Sequence, residues 1–150
     1  MKSVENTLVK YCSIMGSTVE TMKKNDKNQD MLLKWLSKLD VMMARAWMVP
    51  AFGHEIGNYL SNILRKNGGL DLLIDLCAVV ANDKLQFISA KLLNTCLVSE
   101  NRGYLVEKGL DKALVVAKKY TEDISDVERT RVGTGILEHL FRLAAVCLQF

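Results

Sequence analysis

The sequence lacks several features that would place it outside the soluble globular proteins. It has no cluster of five or more lysines and arginines, and its net charge is only +3, so composition gives no support for nucleic-acid binding. Its most apolar window, Leu70–Ala81, is interrupted by Asp71 and Asp75 and is far too short to cross a bilayer. The first residues contain no apolar segment of the kind found in secretion signals. We therefore expect a soluble protein.

Cysteine-pair motifs and catalytic motifs are also missing. The four cysteines are widely separated and form no CxxC pair, which favours reduced structural thiols and an intracellular, cytoplasmic setting. No HExxH, GxSxG or phosphate-loop pattern is present. Both histidines stand directly beside a glutamate, and adjacent side chains point to different sides of a helix. We expect no catalytic residue, metal site or catalytic cofactor, so this chain should not itself be an enzyme.

Apolar residues recur at helical spacing along nearly the whole chain, and no segment shows the alternation of a strand. The first stripe predicts a helix that ends near Gly16, followed by a polar linker over residues 23–30. Pro50, the only proline, should end the next helix because it disfavours helical geometry at Val49. A helix over residues 51–66 is predicted to face inward with Phe52, Ile56, Tyr59, Leu60 and Ile63. The last helix is predicted to face inward with Leu137, Leu140, Phe141 and Ala144.

A pattern restarts along the chain. Gly68-Gly69-Leu70-Asp71 is followed by Lys108-Gly109-Leu110-Asp111, so Gly69 and Gly109 lie about 40 residues apart, a spacing typical of armadillo or HEAT repeats. The predicted fold class is all-α, an armadillo/HEAT-like right-handed helical solenoid of about two repeats plus N-terminal helices. Each repeat is predicted as a helix pair. Asn82-Asp83 is predicted as a turn and N-cap between two helices, and residues 101–108 as a short helical turn before Gly109.

The predicted organisation has three parts. They are an N-terminal helix and polar linker (1–30), an armadillo-repeat region (31–142) and a divergent apolar C-terminal tail (143–150). Because solenoids usually end on polar capping repeats, the apolar tail predicts a C-terminally truncated solenoid, which is a fragment, a truncated product or a partner-dependent piece of a longer array.

Five side chains are candidates for a ligand site. Trp47 stands beside Pro50 at a helix end, where an indole can stack on a flat ring or simply belong to the core. Arg102 lies at a helix junction where backbone N–H groups and a guanidinium can hold phosphate, or where it forms a surface ion pair. His54, His139 and Arg142 are either surface residues or further ligands, the last two being about one helical turn apart.

Four segments occur in an order that resembles a known family. They are Ala46–Glu55, Gly68–Leu73, Ser99–Arg102 and Arg131–Phe141. Together they resemble the N-terminal armadillo domain of the sterile alpha and Toll/interleukin-1 receptor motif-containing proteins, the SARM family, in an invertebrate-like form. The run Val132–Phe141 is the most specific part of the resemblance, which extends over about residues 35–142.

The resemblance implies a role in regulation. Full-length members of that family are NAD⁺ hydrolases that act in axon degeneration and innate immune signalling. A Toll/interleukin-1 receptor domain carries the chemistry, and sterile alpha motifs assemble an octamer. The armadillo domain inhibits the enzyme when NAD⁺ occupies its groove, and nicotinamide mononucleotide competes for that groove. The resemblance implies a cytoplasmic protein, and members of the family also associate with mitochondria and axons.

The resemblance also implies site residues. Trp47 matches the tryptophan that stacks on the nicotinamide ring, and Arg102 matches the phosphate-binding arginine. His54 matches a groove position held by Arg or His, while His139 and Arg142 match the His and Lys of a Glu-His-x-Phe-Lys run. The ligand expected there is NAD⁺ or nicotinamide mononucleotide, acting allosterically.

Two departures from the family pattern lie near the expected groove. Asn94-Thr95 stands where the family usually has Glu-Gln, which removes a carboxylate and an amide, and Arg142 replaces Lys. With the later repeats missing after residue 142, nucleotide binding is expected to weaken. The alternative function is a ligand-free interaction fragment that pairs with another protein through its uncapped C-terminal repeat.

Overall fold

The computed structural model describes the backbone of residues 2–148 and the side chains of residues 3–142. Eight helices account for most of this part, and it contains no strand. The helices are α1 (Lys2–Lys24), α2 (Gln29–Trp47), α3 (Gly53–Lys66), α4 (Gly69–Leu76), α5 (Asp83–Thr95), α6 (Ser99–Lys108), α7 (Leu110–Glu122) and α8 (Val127–Leu148).

The helices stack with a period of three. Helix α2 packs on α5 and α5 on α8, while α1 packs on α4, α4 on α7 and α3 on α6. Within a unit, α4 packs on α5 and α7 on α8. The all-helical, solenoid-like prediction is therefore confirmed. The repeating unit, however, has three helices rather than two, because the segment predicted as a short turn is the ten-residue helix α6.

Helix α1 continues past its predicted end at Gly16 and reaches Lys24. Val19 and Met22 extend the apolar stripe of Met15 by one and two turns, and all three are almost completely buried. A glycine inside a helix costs about 1 kcal/mol, whereas burying a large apolar side chain contributes about 2 kcal/mol. Packing therefore overrides the local preference of the glycine to end the helix.

For two residues, the prediction that the side chain faces inward is wrong. Tyr59 on α3 is 50% exposed and Phe141 on α8 is 70% exposed. The buried face of α3 includes Gly57 and Ser61, small residues that a search for apolar spacing does not count. The buried stripe of α3 is centred on Ile56, Leu60 and Leu64, and that of α8 on Val132 and Ile136.

Local signals at helix ends are confirmed at two points. Helix α2 ends at Trp47, three residues before Pro50. The side chain of Asn82 accepts a hydrogen bond of 3.1 Å from Leu85 N and caps α5, which satisfies an N–H group that the first turn leaves free.

The free thiols of Cys77 and Cys96 are buried, and burial raises the pKa of each to about 12. Within the described part of the chain, no helix is long and apolar enough to cross a membrane. The predicted apolar tail (143–150) and the pairing surface placed there fall outside the described side chains, although the backbone of α8 runs to Leu148.

Candidate ligand-binding cleft

A cleft of about 270 Å³ opens where the end of α2, the start of α3, the α5–α6 junction and α8 come together. Its lining consists of Trp47, His54, Asn58, Thr95, Leu97, Val98, Ser99, Arg102 and His139. Four of the five predicted site residues therefore meet in one place, although 92 residues separate the first from the last along the chain. The fifth, Arg142, does not line this cleft.

Trp47 is held in place by the turn that joins α2 to α3. Ala51 adopts a left-handed conformation with φ 67°, and Gly53 N donates to Val49 O at 2.8 Å. This tight reversal lays the start of α3 against the end of α2. A Cβ at residue 53 would overlap the carbonyl of Trp47, and one at residue 57 would overlap its indole.

The indole of Trp47 is half-buried, so it belongs partly to the core and partly to the cleft. One part of the ring packs on the backbone at Gly57, and another part lines the cleft. The exposed ring of His54 lies 6.0 Å from the indole, centroid to centroid, at an interplanar angle of 60°. Trp47 Nε1 is buried and has no hydrogen-bond partner among the described residues.

Arg102 projects from the first turn of α6. Its Nε donates to Leu97 O at 3.0 Å, which orients the guanidinium along the α5–α6 junction. No ion pair of Arg102 occurs within the described residues. Because α6 begins without a side-chain cap, its first N–H groups are also free to meet an anion.

His139 approaches the cleft from α8. Its Nδ1 is buried without a hydrogen-bond partner in the described part of the chain. Burial lowers the pKa of His139, and the positive charges of Arg102 and Arg142 lower it further. The cleft therefore favours a neutral imidazole beside two cations, and those cations attract a ligand with negative charge. Arg142 is exposed and acts on His139 through its charge.

A buried amide fixes the two helices that carry most of the cleft. Asn101 Nδ2 donates to Ser61 O at 2.9 Å and to Cys96 O at 2.7 Å, and its Oδ1 accepts from Arg65 Nη1 at 2.8 Å. The side chain is fully buried. It joins α3, the α5–α6 junction and α6 directly beside Arg102, a role that the sequence alone did not indicate.

The side chains that line the cleft are suited to binding a ligand. No group of three or more potential metal ligands occurs among the described residues. An indole, two imidazoles and a guanidinium beside an uncapped helix start can hold a flat ring together with an anionic group.

Comparison with known proteins gives a family. No protein-family model matches the chain. The NAD(+) hydrolase sarm1 of Drosophila melanogaster is 41% identical over 150 aligned residues, covering 94% of this chain. The NAD(+) hydrolase SARM1 of Danio rerio is 31% identical over 85% of the chain, and the NAD(+) hydrolase tir-1 of Caenorhabditis elegans is 23% identical over 95%. The chain is homologous to the SARM family.

The chain spans only 11% of the Drosophila SARM relative and 18% of the zebrafish one. These relatives are therefore much longer than this chain. Within the chain, the departure at Asn94-Thr95 falls on the cleft. Thr95 lines it and donates to Lys91 O at 3.1 Å, while Asn94 packs against Gly135 with its Oδ1 buried and unpaired within the described residues.

Four further lining residues were not predicted from the sequence. Asn58 lies one helical turn after His54 on α3, and Leu97, Val98 and Ser99 precede Arg102. The spacing of Asn58 from His54 was a usable signal, since residues four apart share a helix face. Leu97, Val98 and Ser99 line the cleft because the α5–α6 junction runs along it. The sequence has no comparable signal for the course of that junction.

Proposed function

We propose that this chain is the regulatory, nucleotide-sensing part of a SARM-like NAD⁺ hydrolase. Its cleft binds NAD⁺ or nicotinamide mononucleotide, and the bound nucleotide sets whether the enzyme is inhibited. The observation that carries the proposal is the meeting of Trp47, His54, Arg102 and His139 around one cleft. Nicotinamide nucleotides combine a flat ring with phosphate, and this set of side chains recognises both parts.

The ring is recognised by the aromatic side of the cleft. Gly57 supports the indole of Trp47 from behind, so the ring is held rigid before the ligand arrives. A nicotinamide ring that carries positive charge stacks favourably on an indole face. His54, tilted beside the indole, closes one edge of this half of the site.

The phosphate is recognised by the cationic side. Arg102 is already oriented by its bond to Leu97 O, and the free N–H groups at the start of α6 add to its attraction for an anion. Arg142 adds positive charge near His139. A volume of about 270 Å³ lies just below the usual range of ligand pockets, so a mononucleotide fits within it more readily than a dinucleotide.

In this proposal the hydrolytic step belongs to a different part of the full-length protein. The catalytic Toll/interleukin-1 receptor domain, the sterile alpha motifs and their octamer are the partners on which the bound nucleotide acts, in a cytoplasmic protein. Incubating this chain with NAD⁺ and measuring nicotinamide release tests that assignment. Turnover by the chain alone would refute it.

Calorimetric titration with NAD⁺ and with nicotinamide mononucleotide tests the binding site. Trp47→Ala should weaken binding at least tenfold, whereas Trp47→Phe, which keeps a flat ring, should weaken it much less. Trp35→Phe is the matched control, because Trp35 lies outside the cleft, and it should bind like the parent chain. Arg102→Gln should weaken nicotinamide mononucleotide at least tenfold. Equal affinities across the series would exclude this cleft as the nucleotide site.

A further inference from the structure

A second and larger depression runs between α1 and α2, away from the cleft. Its volume is about 800 Å³. It is lined by Lys10, Tyr11, Ile14, Ser17, Thr18 and Thr21 of α1 and by Trp35, Ser37, Lys38, Val41, Met42 and Arg45 of α2. We refer to these twelve residues as the α1–α2 groove. The residues from α1 recur at helical spacing over about three turns, as do those from α2, so each wall of the groove is one face of a helix.

The groove is charged with one sign only. Three of its twelve residues, Lys10, Lys38 and Arg45, are cations, and none is an aspartate or glutamate. All three cations are exposed, and none forms an ion pair within the described residues. The carboxylates of a ligand can therefore pair with these cations without breaking an existing ion pair.

The groove also offers apolar side chains to a partner. Ile14 is 37% exposed and Val41 is 50% exposed, and the half-buried rings of Tyr11 and Trp35 belong to the same lining. Aromatic side chains of this kind dominate the binding energy of many protein interfaces.

Two hydroxyls of the groove bond to carbonyl groups of their own helices. Thr21 Oγ1 donates to Ser17 O at 2.8 Å, and Ser37 Oγ donates to Leu33 O at 2.7 Å. A partner backbone can therefore approach these two small side chains closely without leaving their hydroxyls unpaired.

We propose that the α1–α2 groove is a docking surface for an acidic amphipathic helix of a protein partner. The apolar stripe of the partner packs on Ile14, Trp35 and Val41. Its flanking aspartates and glutamates pair with Lys10, Lys38 and Arg45. Helix-in-groove recognition uses apolar anchors at this spacing, and opposite charges at the rim select the partner.

The spacing of the cations fits a partner helix. Lys38 and Arg45 are seven residues apart on α2, or about 10 Å along the helix at 1.5 Å per residue. Acidic residues two turns apart on a partner helix match this separation, so that each cation can pair with a carboxylate of its own. From Lys10 to Thr21 the wall is about 16 Å long, which matches about three turns of partner helix.

The test is a binding measurement with a fluorescein-labelled amphipathic peptide of about 14 residues, with leucines at helical spacing flanked by glutamates. Fluorescence anisotropy should give micromolar affinity that weakens at least tenfold when salt rises from about 0.05 M to about 0.5 M. The double variant K38E/R45E should weaken binding at least tenfold. K66E/K84E carries the same net charge change at exposed lysines outside the groove and should leave binding unchanged.

Four results would overturn the proposal. They are no binding at about 1 mM peptide, equal binding of a peptide with lysines in place of the glutamates, equal weakening by both double variants, and saturable binding of anionic vesicles that K38E/R45E abolishes while peptide binding persists. Circular dichroism of both double variants should match that of the parent chain, since all four positions are exposed.

Discussion

The indole of Trp47 lies directly on the backbone of α3 at Gly57, so closely that a Cβ at residue 57 would overlap ring atoms Cδ2 and Cε2. This contact fixes the position of the aromatic side of the cleft. The indole cannot move toward α3 because the backbone at Gly57 blocks it, and the turn after α2 fixes the orientation of its exposed part. The glycine is therefore a part of the site even though it offers no side chain to a ligand.

Gly57→Ala should displace the indole and destabilise the chain. Overpacking of this kind costs about 1–3 kcal/mol, which exceeds the gain of about 1 kcal/mol from replacing glycine inside a helix. Urea unfolding gives the free energy, and calorimetry with nicotinamide mononucleotide gives the accompanying loss of affinity.

Gly103→Ala is the matched control for this substitution. Gly103 lies inside α6 with open space around its missing Cβ, so the alanine variant should be more stable by about 0.5–1 kcal/mol. If both variants change stability in the same direction, the close approach of Trp47 is not the reason for glycine at residue 57.

Asn101→Ala should cost about 3 kcal/mol of stability, because it removes two buried hydrogen bonds, to Ser61 O and Cys96 O, takes away an acceptor of Arg65 Nη1 and leaves a cavity. Chemical unfolding measures the loss. Asn25→Ala removes an exposed amide that bonds only to Thr21 O, and it should change stability by less than about 0.5 kcal/mol. A similar small change for both variants would show that the buried network contributes little.

Arg129→Ala should destabilise the packing of α8 on α5 and α7 by about 2 kcal/mol. The guanidinium lies 4.5 Å from the centre of the Phe87 ring and 5.4 Å from that of Tyr120, and it pairs with Asp83 at 2.6 Å and Asp126 at 3.0 Å.

Arg129→Lys should recover less than half of that loss, because an ammonium cannot lie against both rings and bond two carboxylates as the larger, five-donor guanidinium does. The exposed Arg131, two residues along α8, supplies the control, since Arg131→Ala should stay within about 0.5 kcal/mol of the parent. Thermal unfolding of the three variants provides the comparison. Full recovery by lysine would mean that charge alone, and not the planar group, holds Arg129 in place.

Much of the fold followed from the sequence, because helix formation here depends on local spacing. The turn at Pro50, the cap at Asn82 and the restart near Gly109 are all short-range signals. The errors at Tyr59 and Phe141 have another origin. Apolar spacing identifies a stripe to within about one residue, and which edge of it is buried depends on how closely the neighbouring helix approaches. Small residues such as Gly57 decide that approach.

The same distinction between local signals and contacts between helices applies to the cleft. Trp47, His54, Arg102 and His139 were selected by residue type and family resemblance, and the stacking of the helices brings them together. That stacking depends on contacts between units, such as Asn101 with Ser61. These contacts join residues 40 positions apart, and a single sequence gives no sign of which polar residue makes them. The use of these residues as nucleotide ligands stays a prediction.

The stability of the chain should fall as the pH drops through the range in which histidine titrates. Burial, Arg102 and Arg142 lower the pKa of His139 in the folded chain, while in the unfolded chain it titrates near its usual value of about 6.5. Below that value the unfolded state therefore binds more protons than the folded state, and protonation favours unfolding. The stability associated with neutral His139 is fully present above about pH 6.5 and is lost as the pH falls below it.

His139→Gln removes this titration and should flatten the dependence of the unfolding free energy on pH between about 7.5 and 5.5. Urea unfolding at several pH values in that window provides the measurement, above the range in which most carboxylates titrate. The exposed His54 is the control, since His54→Gln should keep the slope of the parent chain. A parent chain whose stability is constant across the window, or a slope that disappears in His54→Gln and not in His139→Gln, would contradict the placement of a neutral His139 between two arginines. Agreement would mean that the cleft holds its positive charge on Arg102 and Arg142 alone at neutral pH.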